Sequence, residues 1–231
     1  MKQKITSLIF ALTFLITVPL LLTGCSGKKN PDTLSGDTLP DSLKELYDAQ
    51  TLLNKADRLF KEKDYTGATQ EYRRFLELHP LHSSASYAQY RIGLSYFKLI
   101  RTIDRDIEPA QKALAAFETV LKDYPDNEYA DEVREKIRIC REKLAEREFY
   151  IGNFYLRKED YPAAIERFNN ILTEYADTEV VQKAFYHLGI AYSSSGESTR
   201  AVEVLQNLIS KYPETTYKKD ATQLLAKLNG R

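Results

Sequence analysis

The chain has 231 residues, 43% of them apolar, and sets 33 Lys and Arg against 33 Asp and Glu. That balance argues against nucleic acid as the main partner, because phosphate recognition needs a cationic surplus. Its two cysteines, Cys25 and Cys140, stand in contexts too different to form a disulfide framework.

At the N-terminus, Lys2 and Lys4 precede an apolar run from Ile5 to Leu22 that ends in Thr23-Gly24-Cys25. A charged n-region, an apolar h-region and a small-residue cleavage site define a secretion signal, so residues 1–24 read as a signal peptide. Its removal leaves 31 basic against 33 acidic side chains. The other reading is an uncleaved anchor, since the 18 residues of the run just reach the length of a membrane span. Pro19 and Gly24-Cys25 favour cleavage. A cysteine directly after Leu-Thr-Gly resembles the lipobox of bacterial lipoproteins. The resemblance implies that Cys25 carries covalent diacylglyceryl and N-acyl lipid, and that Ser26, where Asp would retain the protein in the inner membrane, directs it to the outer membrane. Residues 25–42 carry Pro31 and Pro40 without helical periodicity and read as a lipidated flexible tether. Such a segment reaches roughly 20 to 25 Å.

The folded body is expected over residues 43–231. A first helix pair is predicted over Leu43–Lys61 and Tyr65–Leu78, and a second from Ser83 through Leu99 and on to Pro125. Small residues mark the points of close approach: Ala56, Gly93, Gly152 and Gly189, each followed three residues later by Leu59, Tyr96, Tyr155 or Tyr192. Gly152 and Gly189 are 37 residues apart, as are Ala56 and Gly93. Ala68, Ala164 and Ala201 begin the returning faces, and Pro80, Pro125 and Pro213 stop the second helices. These are tetratricopeptide-like repeats. The fold class is therefore an all-α solenoid of four helix pairs, closed by a C-terminal capping helix over Tyr217–Leu228.

Two segments depart from the period. Arg101–Glu108 reads as an inserted loop whose charges are either solvated or functional. Between Tyr129 and Lys158, Val133, Ile137, Cys140 and Leu144 recur at helical spacing with no proline, predicting one long helix or two nearly continuous ones. Cys140 lies on that stripe and reads as a buried free thiol. The third pair closes at Tyr175-Ala176, without the proline of the others.

No nucleophile elbow, P-loop, dinucleotide fingerprint or zinc-protease motif is present, so no enzyme is expected. His79 and His82 flank Pro80 and read as solvated, and His187 stands alone, so metal ligands are lacking. Alternating charges such as Glu135-Lys136 and Glu142-Lys143 read as solvated helix faces.

Asp104-Arg105-Asp106, followed by Ala110, Ala113, Phe117 and Tyr124-Pro125 with Tyr129, together with the lipobox, the inserted loop, the lengthened helix and the order of repeats, resembles the BamD family of lipoproteins of the outer-membrane β-barrel assembly machinery. The likeness covers nearly all of residues 25–229. It implies a scaffold anchored in the outer membrane and facing the periplasm. It also implies contact with the BamA-like β-barrel subunit with POTRA domains through the C-terminal half, and receipt of unfolded outer-membrane protein precursors through the N-terminal half. Arg167 matches an arginine of the family in the second helix of this repeat, which implies a partner contact, an intramolecular ion pair being the alternative. A periplasmic adaptor of the Tol-Pal or peptidoglycan system shares Tyr-Pro-turn repeats, but it brings a coiled coil and no lipidation. A wall hydrolase on a helical solenoid is the enzyme alternative.

With Gly93 as position 8 of its helix, the inner-face positions of the second pair are Tyr87, Tyr90, Leu94, Phe97 and Lys98. Those of the first pair are Gln50, Leu53, Asp57, Phe60 and Lys61, and those of the fourth are Lys183, Tyr186, Ile190, Ser193 and Ser194. An extended barrel terminus ending in an aromatic residue and a carboxylate needs apolar rings beside a cation, which Tyr90, Phe97 and Lys98 offer. Packing of these rings on a neighbouring repeat is the alternative.

Overall fold

The computed structural model describes residues 48–102 and 106–230. The expected signal peptide, Cys25, Ser26, the tether and the start at Leu43 lie outside the described residues, as do Asp104 and Arg105. Among the described residues there are nine helices and no strand: α1 Ala49–Lys61, α2 Tyr65–Leu78, α3 Ala85–Leu99, α4 Glu108–Asp123, α5 Ala130–Arg157, α6 Tyr161–Glu174, α7 Val180–Ser194, α8 Ser198–Lys211 and α9 Lys218–Asn229. They form four helix pairs and a cap, each helix packing on the next in the chain. The architecture is a tetratricopeptide-type solenoid.

Local chemistry sets the boundaries. The first helix starts at Ala49, later than the periodicity indicates, because the Asp48 side chain accepts the Thr51 N–H at 2.9 Å and caps it. Asp64 and Asp160 cap α2 and α6 in the same way. The turns that follow α1, α5 and α7 share one left-handed residue, Lys63, Glu159 and Gly196, with φ of 65°, 60° and 87°.

Each pair closes around a small residue. A Cβ on Gly93 would lie 2.5 Å from the Phe117 ring, one on Gly152 2.7 Å from Phe168, and one on Gly189 2.6 Å from Leu205. The missing side chain is what lets those groups reach the opposing backbone. The core is accordingly serial. Tyr72 and Phe75 fill the first interface, Phe117 and Val120 the second, Phe168 and Ile171 the third, and Leu205 and Leu208 the last, all fully buried. Burial of such a side chain contributes about 1.5–3 kcal/mol.

The long segment is one helix. α5 runs 28 residues without a break. Its apolar stripe buries Val133, Cys140 and Leu144. Cys140 is a free thiol with no exposed surface, and burial pushes its pKa up to about 12.

The turn without proline is held from outside. Arg141 on α5 grips Asp177 with Nε and Nη2 at 2.8 and 2.6 Å, and Nη2 also reaches the Glu174 carbonyl at 2.7 Å. Beside it the Glu142 carboxylate accepts the Glu179 N–H at 3.0 Å. Glu142 thus also caps the turn before α7, through a bond that stays exposed. Thr178 completes the turn by donating its hydroxyl to the Tyr175 carbonyl at 2.7 Å. Of the turn histidines, His82 is exposed and His79 half-buried, and their rings lie 5.4 and 5.6 Å from Phe75 at the end of α2.

Candidate functional site

The first helices α1, α3 and α5 bring an aromatic and charged surface together at the N-terminal half. On α3, Tyr87 is half-buried, its hydroxyl donating to Asp57 of α1 at 2.7 Å. The Tyr72 hydroxyl of α2 donates to the same carboxylate oxygen. Arg91 closes the group: its Nε donates to the Tyr72 oxygen at 2.9 Å, Nη2 stands 3.6 Å from Asp57, and the guanidinium lies 3.7 Å from the centre of the Phe60 ring. Burial and the bond to Asp57 push the Tyr87 phenol up to about 12, so it stays a donor at every physiological pH.

The inner-face residues of α3 divide into two kinds. Tyr90 is 7% exposed, and its ring stacks on Tyr129 at 4.3 Å between centres, with 4° between planes. Its face is thus taken by the residue that precedes α5, and the packing alternative describes Tyr90. Leu94 and Phe97 are half-buried against the same core, and Phe97 meets Phe117 at 6.3 Å. Lys98 is exposed. The cation that lies over the Phe97 ring is Lys136 of α5, at 5.2 Å. Position counting missed Lys136 and Arg91: the first belongs to the lengthened part of α5, outside the 37-residue register, and the second falls between counted positions.

In the C-terminal half, Arg167 on α6 pairs with Glu148 on α5, Nη1 to Oε2 at 3.2 Å, with 35% of its side chain exposed. It thus has an intramolecular partner and keeps part of its fork in solvent. Tyr150 and Phe154, one turn apart on α5, are 43% and 44% exposed, and Arg147 lies over the Tyr150 ring at 5.7 Å. The sequence signal for this ridge is a pair of aromatics off the buried stripe. The fourth-pair positions Tyr186, Ile190, Ser193 and Ser194 line a cleft closed by Asp220 and Leu224 of α9.

His187 is held among Phe149 at 4.8 Å and Phe168 at 5.9 Å, with Nδ1 3.0 Å from the Lys183 carbonyl. Burial keeps its pKa below the ordinary value. Among the described residues, no group of three or more His, Cys, Asp or Glu is placed to hold a metal ion, and no helix is long and apolar enough to cross a membrane.

Helix pairs repeated along the chain and closed around small residues define a protein of the tetratricopeptide-type solenoid class. The family model described as outer membrane lipoprotein, YfiO, matches residues 43–204. The chain belongs to this family, that of BamD. Among its relatives, a protein of Rickettsia prowazekii named outer membrane protein assembly factor BamD is 29% identical, over 96% of this chain and 98% of its own length. Proteins of the same name from Caulobacter vibrioides and Vibrio cholerae are 34% and 29% identical, over 70% and 72% of this chain and 53% and 73% of their own lengths.

Proposed function

We propose that this protein is a non-enzymatic scaffold of outer-membrane β-barrel assembly. In this reading Cys25 carries the lipid anchor, residues 25–42 tether the solenoid over residues 43–231, and the solenoid faces the periplasm. The N-terminal pairs receive unfolded β-barrel precursors, and the C-terminal pairs hold a BamA-like subunit. The supporting observation is the inner face of α3. Tyr87, Leu94 and Phe97 present rings and aliphatic surface beside the cations Lys98 and Lys136, the chemistry that suits an aromatic residue and terminal carboxylate. Tyr90 supports that face from behind, through Tyr129. On the other half, Arg167 and the Tyr150–Phe154 ridge supply an exposed guanidinium fork and an apolar anchor for the partner subunit.

Photo-crosslinkers at Tyr87 and Lys98 are expected to capture an unfolded barrel precursor in the envelope, with capture weakened severalfold by Phe97→Ala. Crosslinks confined to second helices would remove the inner face from consideration. Capture of Tol-Pal components in place of barrel precursors would favour the adaptor reading. Arg167→Glu should weaken recovery of the BamA-like subunit, and Cys25→Ala should leave unacylated protein outside the outer-membrane fraction.

A further inference from the structure

The second helices carry a groove that the inner-face reading does not use. α2 and α4 both pack on α3, which lays a floor of Ile92 and Tyr96 between them, extended by Leu76 and Ala116 from the walls. Two cations meet over that floor from opposite sides: the Arg73 guanidinium lies 5.6 Å from the centre of the Tyr96 ring, and Lys112 Nζ lies 5.7 Å from it. Arg73 is exposed, its guanidinium resting on that ring. The bond to Glu108 holds the Lys112 pKa above its ordinary value, against the smaller opposing effect of the nearby Arg73 charge. Lys112 in turn pairs with Glu108 at 2.6 Å, an exposed pair of the kind that dissociates readily. Glu77 stands one turn beyond Arg73 and Glu108 one turn before Lys112, so the groove is cationic at its waist and acidic at its two ends.

We propose that this groove docks an amphipathic helix of a partner protein, with a central carboxylate received by Arg73 and Lys112 over Tyr96 and a basic side chain one turn away on either side. Charge complementarity fixes that pattern, since Arg73 to Glu77 and Lys112 to Glu108 each span four residues, about 6 Å along a helix. The walls and floor are helices whose backbone groups are already paired. A helix lays an already paired backbone into such a groove and meets it with side chains one turn apart, the spacing that the groove's own charges have. From Thr66 to Glu77 the α2 wall is about 16 Å long, three helical turns. A small anion would leave the apolar floor of Leu76, Ile92 and Ala116 unused. An anionic lipid surface would meet carboxylates at both ends.

The test uses the full-length lipidated protein in detergent micelles. The probe is a fluorescent alanine-based helical peptide of about fifteen residues, with one glutamate flanked by a lysine four residues to either side and leucines along the same face. Saturable anisotropy binding is expected. It should weaken at least tenfold with Arg73→Glu and Lys112→Glu together, and equally when the peptide glutamate becomes glutamine. Tyr96→Leu keeps the apolar floor and removes the ring, and should weaken binding severalfold at unaltered helix content. Unchanged binding by the double variant or equal binding of the glutamine peptide would each overturn the proposal. Displacement of the peptide by inorganic phosphate, or by phosphatidylglycerol carried in the same micelles at a level that does not bind the free peptide, would overturn it in favour of a free anion or a lipid.

Discussion

At the residue scale, a missing methyl group decides how closely each pair packs. Gly93→Ala would set a Cβ 2.5 Å from the Phe117 ring, which is fully buried and has no free side to swing into. We expect a loss of about 1–3 kcal/mol of stability, the usual cost of overpacking, read as a lowered midpoint of urea unfolding. His187 gives a pH-dependent counterpart. Burial depresses its folded pKa, so the neutral ring is the form the native state prefers, and the Lys183 ammonium beside it acts in the same direction. Its stabilisation is complete above the unfolded histidine value, about 6.5, and is lost as pH falls toward the folded one. Urea midpoints at pH 7.5 and pH 5 should therefore diverge more for the wild type than for His187→Gln. Equal midpoint shifts between the two pH values in both proteins would rule out this role for the ring.

At the element scale, α5 supplies what the turn after α6 lacks. Arg141→Ala should cost about 1 kcal/mol at neutral pH, the worth of a good exposed ion pair with hydrogen bonds. The Arg141 bond holds the Asp177 carboxyl below the usual range. That part of the stabilisation is present above the unfolded carboxylate value and disappears as pH falls through the depressed one. The gap between variant and wild type should thus narrow in acid while the share from the Glu174 carbonyl persists, which unfolding series at pH 7 and pH 3 will show. The same element marks how far the sequence could be read. Gly152, Gly189 and the Tyr-Pro turns announce the repeats because close approach and helix termination are local demands, each met by one residue type. Compensation for Ala176 could not be read, since Arg141 and Asp177 are 36 residues apart and either alone looks like a solvated charge. The Asp57, Tyr72, Tyr87 and Arg91 group was hidden for the same reason, being assembled from three helices. Tyr90 misled because Tyr129 reaches it from outside the repeat register. Of the three left-handed turn positions, Gly196 carries the residue type that favours that conformation, whereas at Lys63 and Glu159 the backbone imposes it on ordinary side chains.

At the scale of the whole solenoid, a serial core has ends, and an end must be covered. α9 buries Ala221 and Leu228 against α8, over Leu205 and Leu208. Truncation after Tyr212 should expose that surface and convert a monodisperse protein into one that aggregates, a change light scattering detects. Between the ends runs α5, about 42 Å of unbroken helix. A helix of that length is a strut, stiff in compression and in torsion, where a loop would be slack. If a precursor pulls at the Tyr87 end while a membrane-embedded partner holds Arg167, the load passes along the strut instead of being absorbed in it, and the distance between cargo and machine is set by the number of residues in one helix.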